Sequence, residues 1–185
     1  MISTISKDCS DIKIHFECSG NVKKFLKAYD DRGGVMTIGI GTIRYPNGQR
    51  VKAGDVITEA EAYDYCKYDS THKASEVNAM TRDDINQHHF DALVSICYNI
   101  GEQGLRKSGL LKLVNTNLND LNIVNRFCDW RWDNGKFIKG LLRRRMAEAY
   151  LFFTGKLKYD WVNYTTNNPA AAAAEVSAAL KAALN

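Results

Sequence analysis

Apolar positions come in short pieces over the first third of the chain and at helical spacing after residue 58. Residues 8–18 carry Ile12, Ile14 and Phe16, then Glu17. This alternation fits a strand or a helix, and Ser10 followed by Asp11 reads as a helix start. From 19 to 57 turn formers intrude: Gly20, Gly33-Gly34, Gly39, Gly41, Pro46-Asn47-Gly48 and Gly54. Between them lie Val35-Met36-Thr37-Ile38 and Thr42-Ile43-Arg44-Tyr45. Short β-branched runs separated by turn residues predict a small antiparallel sheet, with a tight turn at Tyr45-Pro-Asn-Gly-Gln.

Thr58-Glu-Ala-Glu61 has the spacing of a capping box, so a helix is expected over about 59–79. Thr81-Arg-Asp-Asp84 reads as the start of the next one. That segment holds Ile85, Phe90, Leu93, Val94, Ile96, Cys97 and Ile100, apolar on nearly every side, which marks a central helix ended by Gly101 and Gly104. Further helices are expected at 105–116, 120–132 and 140–154, the last with Leu142, Met146, Ala149, Tyr150 and Phe153 on one stripe and Gly155 as its stop. The alanine-rich tail, 166–185, predicts a terminal helix with Val176, Leu180 and Leu184 recurring every four residues. It reads as a helix docked on the domain or a frayed end, with an interaction helix as the alternative. The fold class is therefore α+β: one domain over 1–165, with a small β-lobe at about 19–57 and a helical lobe at about 80–155.

At 185 residues the chain is long enough for a real core. No apolar run approaches the roughly 20 residues of a membrane span, and the N-terminus lacks the pattern of a signal peptide. Synthesis and folding in a cytosol are expected. The five cysteines, Cys9, Cys18, Cys66, Cys97 and Cys128, agree: their number is odd and none has metal-like Cys-x-x-Cys spacing. A net charge of +4 favours an anionic partner such as a cell wall, but lacks the dense basic clustering of a nucleic-acid binder. Arg143-Arg144-Arg145 is the only tight basic run. His88-His89 are adjacent and diverge around a helix, His15 and His72 have no partner at ligand spacing, and no phosphate-binding loop is present, so neither metal nor cofactor is expected. Trp130, Trp132 and Trp161 read as core residues, or as a sugar platform where one borders a cleft.

Four stretches together carry a resemblance. They are Phe16-Glu17 with Leu26-Lys-Ala-Tyr29-Asp30-Asp31 and Thr37-Ile-Gly39-Ile-Gly41; Val51-Lys-Ala-Gly-Asp-Val-Ile-Thr58; Phe90-Asp-Ala-Leu-Val-Ser-Ile-Cys-Tyr-Asn99-Ile-Gly101; and Gly140-Leu-Leu-Arg-Arg144-Arg145-Met-Ala-Glu148. In this order they resemble the phage-type lysozymes, glycoside hydrolase family 24. The resemblance implies a lysozyme-like fold with a cleft between the lobes, and hydrolysis of the β-1,4 bond between N-acetylmuramic acid and N-acetylglucosamine in peptidoglycan. It also implies host lysis for a phage, by a monomer made in the host cytoplasm that reaches the wall once the membrane is permeabilised.

Carried over by position, the active-site residues are Glu17, Asp31 and Thr37. Glycosidic cleavage needs an acid to protonate the leaving oxygen and a carboxylate, or water held by one, on the other face of the sugar. The acid must be partly desolvated to keep its proton near neutral pH. Glu17 takes that role, Asp31 stays ionised, and Thr37 hydrogen-bonds the attacking water. In the inverting mode the two carboxyls stand roughly 6.5–9.5 Å apart. Arg144 resembles the arginine that faces the acid, with Arg143 or Arg145 in that place if the register slips. Asn99 and Ser108 correspond to cleft positions, Asn99 as a binder of sugar acetamido groups or a helix-end cap.

Two features depart from the pattern. Thirteen residues separate Glu17 from Asp31 where the family has eight, an insertion near Cys18–Lys23; without a gap, Val22 falls at the acid position. Ile40 and Thr42 stand where the family often has Tyr and His. A lytic transglycosylase and an inactive glycan-binding or structural protein are the alternative readings.

Overall fold

A computed structural model describes residues 2, 4–31 and 33–184. The first helix, α1 (Lys7–Cys18), starts at Ser6 rather than Ser10: the Ser6 hydroxyl accepts the Asp8 amide, and its own N–H reaches Asp91 at 3.0 Å. Strands β1 (Tyr29–Asp30) and β2 (Met36–Thr37) form a two-residue antiparallel ladder, with Tyr29 opposite Thr37. Within 19–57, the described residues beyond this ladder form only isolated bridges, Ile38 to Thr42, Arg44 to Arg50 and Lys27 to Val56. The expected strand at 42–45 is absent because Gly39 and Gly41, both at positive φ, fold the chain back on itself.

The capping box at Thr58 and Glu61 opens α2 (Glu59–Asn78), as its spacing predicts. The next helix, α3 (Gln87–Ile100), begins at Asn86 and not at Thr81. Asn86 and His89 build its capping box, whereas the Thr81 hydroxyl bonds back to Val77 at the end of α2. Residues 90–97 of α3 are all buried, which makes it the central helix. The segment expected as one helix over 105–116 is split into α4 (Glu102–Arg106) and α5 (Gly109–Thr116), because Ser108 caps α5. Helix α6 (Asn122–Cys128) stops short of residue 132 and is followed by a second hairpin, β3 (Trp132–Asp133) with β4 (Lys136–Phe137). Its turn, Asn134-Gly135, has positive φ at both residues, the conformation Asn-Gly favours in two-residue hairpins. Helix α7 (Lys139–Thr154) follows, ended by Gly155 in the left-handed conformation. Helix α8 (Pro169–Leu184) buries Ala172, Ala173, Val176 and Leu180 and packs on α6 and α7.

Two separate apolar cores result. The larger gathers α3, α5, α6, α7 and α8, with Phe90, Leu93, Ile96, Phe127 and Phe152 fully buried. The smaller holds Cys18, Val22, Ile38, Ile40, Val51 and Ile57. Helices α1 and α2 contribute to both: Ile12 and Cys18 of α1 lie in different cores, as do Cys66 and Val77 of α2. Glu17 therefore sits on the seam between the lobes. The stretch near Cys18–Lys23, where the insertion is expected, runs from the end of α1 into a 3-10 turn, Val22–Phe25, whose Val22 is buried in the smaller core. All five cysteines are buried and unpaired.

Candidate active site

Glu17 is the penultimate residue of α1, and its side chain is 24% exposed. One carboxylate oxygen accepts from Arg144 Nη1 at 2.5 Å. Arg144 comes from α7 and is buried, held by Glu148 Oε1 at 3.1 Å. Glu148, one turn further along α7, also accepts from Ser95 at 2.7 Å and pairs with Arg145 at 3.0 Å. Two arginines and a glutamate on consecutive turns thus form a buried network that projects a single guanidinium toward Glu17. Burial works against the charge on Arg144, but Glu17 and Glu148 outweigh it and raise its pKa. Burial pulls Arg145 down to about 10, against the pull of Glu148.

The other carboxylate oxygen of Glu17 faces the β-lobe. A side-chain carbon at Gly41 would lie 3.4 Å from Oε2 and 2.8 Å from the Tyr98 hydroxyl. Glycine at 41 is thus required both by its φ of 77° and by close approach. Gly41→Ala should cost about 1–2 kcal/mol from the backbone alone, and should lower turnover further by displacing Glu17. Thermal denaturation beside a clearing assay on permeabilised cells separates the two effects; normal turnover would show that the approach is not needed.

Tyr98 of α3 donates to the Ile40 carbonyl at 3.0 Å and so ties the helical lobe to the loop that faces the acid. Burial pushes its phenol well above its ordinary value, with Glu17 and Asp69 adding to the shift, so the hydroxyl stays a donor. Against its ring, 3.6 Å from the centroid, lies the ammonium of Lys13, which is fully buried and bonded to Ser70 at 2.7 Å. Lys13 is one helical turn before Glu17. Sequence reading passed over both residues. A lysine four positions from the acid on a short amphipathic helix was the available signal for Lys13, but its burial depends on α2 and α3 closing around it.

Asp31 follows β1 at the tip of the first hairpin, where its Oδ1 accepts the amides of Gly33 at 2.8 Å and Val35 at 3.1 Å. Thr37 is buried in β2 and donates to the Val35 carbonyl at 3.2 Å. Both residues are thus fixed by one hairpin. Tyr29, opposite Thr37, has its phenol pushed up to about 12 by burial, with smaller contributions from Cys18, Glu17 and Asp31.

Asn99 is exposed at the end of α3, where its side-chain oxygen accepts from Arg145 at 3.0 Å. It borders a hollow of about 420 Å³ with Trp130, Trp132 and Leu141. Ser108 borders the neighbouring hollow of about 400 Å³, which shares both tryptophans. Its hydroxyl is engaged with the Leu105 carbonyl and the Leu111 amide. Trp132 is 47% exposed where it borders this groove, whereas Trp161 is buried in the helical core.

The fold, with a clamped glutamate at the junction of its two cores, defines a lysozyme-like protein. A phage lysozyme family model matches residues 24–148. The endolysin of Salmonella phage P22 is 33% identical over 129 residues, covering 70% of this chain and 87% of that protein. The endolysin of Bacillus phage B103 is 36% identical over 122 residues, 66% of this chain, but the match spans only 44% of that longer protein. Among solved structures, an endolysin from Escherichia coli O157:H7 phage FAHEc1 superposes with a TM-score of 0.73 at 33% identity, covering 83% of this chain and 96% of that one. The chain belongs to the phage lysozyme family. The family-model match begins downstream of Glu17, so the case for that residue rests on its geometry.

Proposed function

We propose that the chain is a muramidase that hydrolyses the β-1,4 bond between N-acetylmuramic acid and N-acetylglucosamine, for lysis of the phage's host. The observation that carries this reading is the Glu17 carboxylate, partly shielded, held on one oxygen by buried Arg144 and turned with the other toward the β-lobe. Glu17 protonates the leaving glycosidic oxygen. A water held by Asp31 and the Thr37 hydroxyl attacks the anomeric carbon from the opposite face and passes its proton to Asp31. Arg144 positions Glu17 and needs no contact with sugar. Asn99 offers its amide to an acetamido group, and Ser108 lies on the wall of the groove that continues past the tryptophans. No cofactor takes part in these steps.

The chain acts as a monomer in this reading. It is made in the host cytoplasm and meets the wall after another factor opens the membrane; among the described residues no helix is long and apolar enough to cross one. Digestion of purified peptidoglycan followed by mass spectrometry tests the reaction. Hydrolysis leaves reducing muramic acid ends, whereas products lighter by one water would make the protein a lytic transglycosylase. Asp31→Asn should lower hydrolysis by about 10²-fold or more, because such a water needs a base. Unchanged rates with Asp31→Asn would remove Asp31 from the mechanism.

A further inference from the structure

Lysine is rarely buried without an acid beside it, because an ammonium taken out of water then gains no counter-charge. Lys13 is such a case. It lies on α1 one turn before Glu17, and its side chain is fully buried. Among the described residues no carboxylate comes within ion-pair distance of it. Its ammonium donates to the Ser70 hydroxyl of α2 at 2.7 Å and stands 3.6 Å from the centroid of the Tyr98 ring of α3. Asp69, the neighbour of Ser70 in sequence, feels the charge at longer range: burial raises its pKa, and Lys13 is foremost among the groups that oppose the rise. The Ser70 hydroxyl passes its own proton to the Cys66 carbonyl at 2.5 Å, so it does not require the charge. Methionine would fill the same space without the desolvation.

The contacts of Tyr98 lead from Lys13 to the acid. Its hydroxyl donates to the Ile40 carbonyl at 3.0 Å. A side-chain carbon on Gly41 would lie 2.8 Å from that hydroxyl and 3.4 Å from Glu17 Oε2, so the phenol and the free oxygen of the acid both border Gly41. The 39–41 loop is therefore held from the helical lobe at one point, the end of a ring whose face carries the buried ammonium. A cation over an aromatic face gains strength when water is excluded.

We infer that Lys13 is a positioning residue for the acid: its ammonium, anchored on Ser70, holds the Tyr98 ring by its face, and the Tyr98 hydroxyl in turn fixes the 39–41 loop against the free oxygen of Glu17. The inference rests on the muramidase reading, in which Glu17 gives up the proton. Lys13 needs no contact with sugar.

The test compares the wild type with K13M, Y98F and K13M/Y98F on purified peptidoglycan, beside thermal denaturation and hydrogen exchange over residues 38–42. The amides of Ile38, Gly39 and Thr42 are hydrogen-bonded, so their exchange reports opening of the loop. K13M should melt at or above the wild-type temperature and exchange faster over 38–42. It should turn over roughly tenfold more slowly, with KM unchanged. Y98F should show the same faster exchange and a lower kcat, and the double variant should be no slower than the slower of the two singles. A K13M protein that does not fold, or that melts lower with wild-type kcat, makes Lys13 a structural residue and overturns the inference. Unchanged exchange over 38–42, or losses of kcat that multiply in the double variant, overturn it as well. Glu17→Gln measured alongside separates the two readings. If that variant is as active as the wild type, the muramidase reading fails and takes the role of Lys13 with it. If it is inactive while K13M turns over normally, only the role of Lys13 fails.

Discussion

Glu17→Gln is expected to lower turnover on peptidoglycan by about 10²–10⁴-fold, with stability close to that of the wild type. Glutamine keeps the shape of the side chain and an oxygen to accept from Arg144, but cannot deliver a proton. Arg144 retains Glu148 as its counter-charge, so the helical lobe has no reason to rearrange. Clearing of permeabilised cells together with thermal denaturation gives both quantities. A folded Glu17→Gln variant that clears cells as fast as the wild type would mean that another group supplies the proton. A wild type that clears none would leave a glycan-binding protein on a lysozyme fold. Val22 offers no substitute, since it is a valine packed in the β-lobe core.

Glu148→Ala should be the most destabilising single change around the site, by about 3–5 kcal/mol, or roughly 10 °C in Tm. Glu148 is fully buried and is the common partner of Arg144, Arg145 and Ser95. Removing it leaves two guanidinium groups in the helical core with a single carboxylate, the partly exposed Glu17, to balance them. Both then become more stable in water than in the fold. Arg144 would also lose the contact that aims it, so activity at low temperature should fall even where the protein remains folded. A melting temperature within about 2 °C of the wild type would show that water or a shifted side chain replaces Glu148 at little cost.

The clamp was partly legible in advance. Arg144 and Glu148 stand four apart on a helix predicted from its apolar stripe, a spacing that brings side chains together on one face. That Arg144 meets Glu17, 127 residues away, came from resemblance and not from periodicity. Lys13 and Tyr98 were missed because their roles arise where α1, α2 and α3 close on one another; in sequence they are a charged residue and an aromatic like many others. Thr81 and Ser10 misled for a related reason. Each has the chemistry of a helix start, but a hydroxyl caps whichever amide the chain brings to it, and here Asn86 and Ser6 were better placed.

Local physics written in the chain determined the elements: the Thr58 capping box, the apolar positions on nearly every side of α3, the glycines that end helices, and the turn formers that keep residues 19–57 from building a larger sheet. These depend on neighbours within a few positions, so pattern suffices to read them. Tertiary structure decided which polar groups face one another, namely Glu17 with Arg144, Lys13 with Tyr98, and Gly41 against both Tyr98 and the acid. Such pairings join residues far apart in sequence, and their energy comes from shared desolvation that exists only once the two cores have formed around α1 and α2.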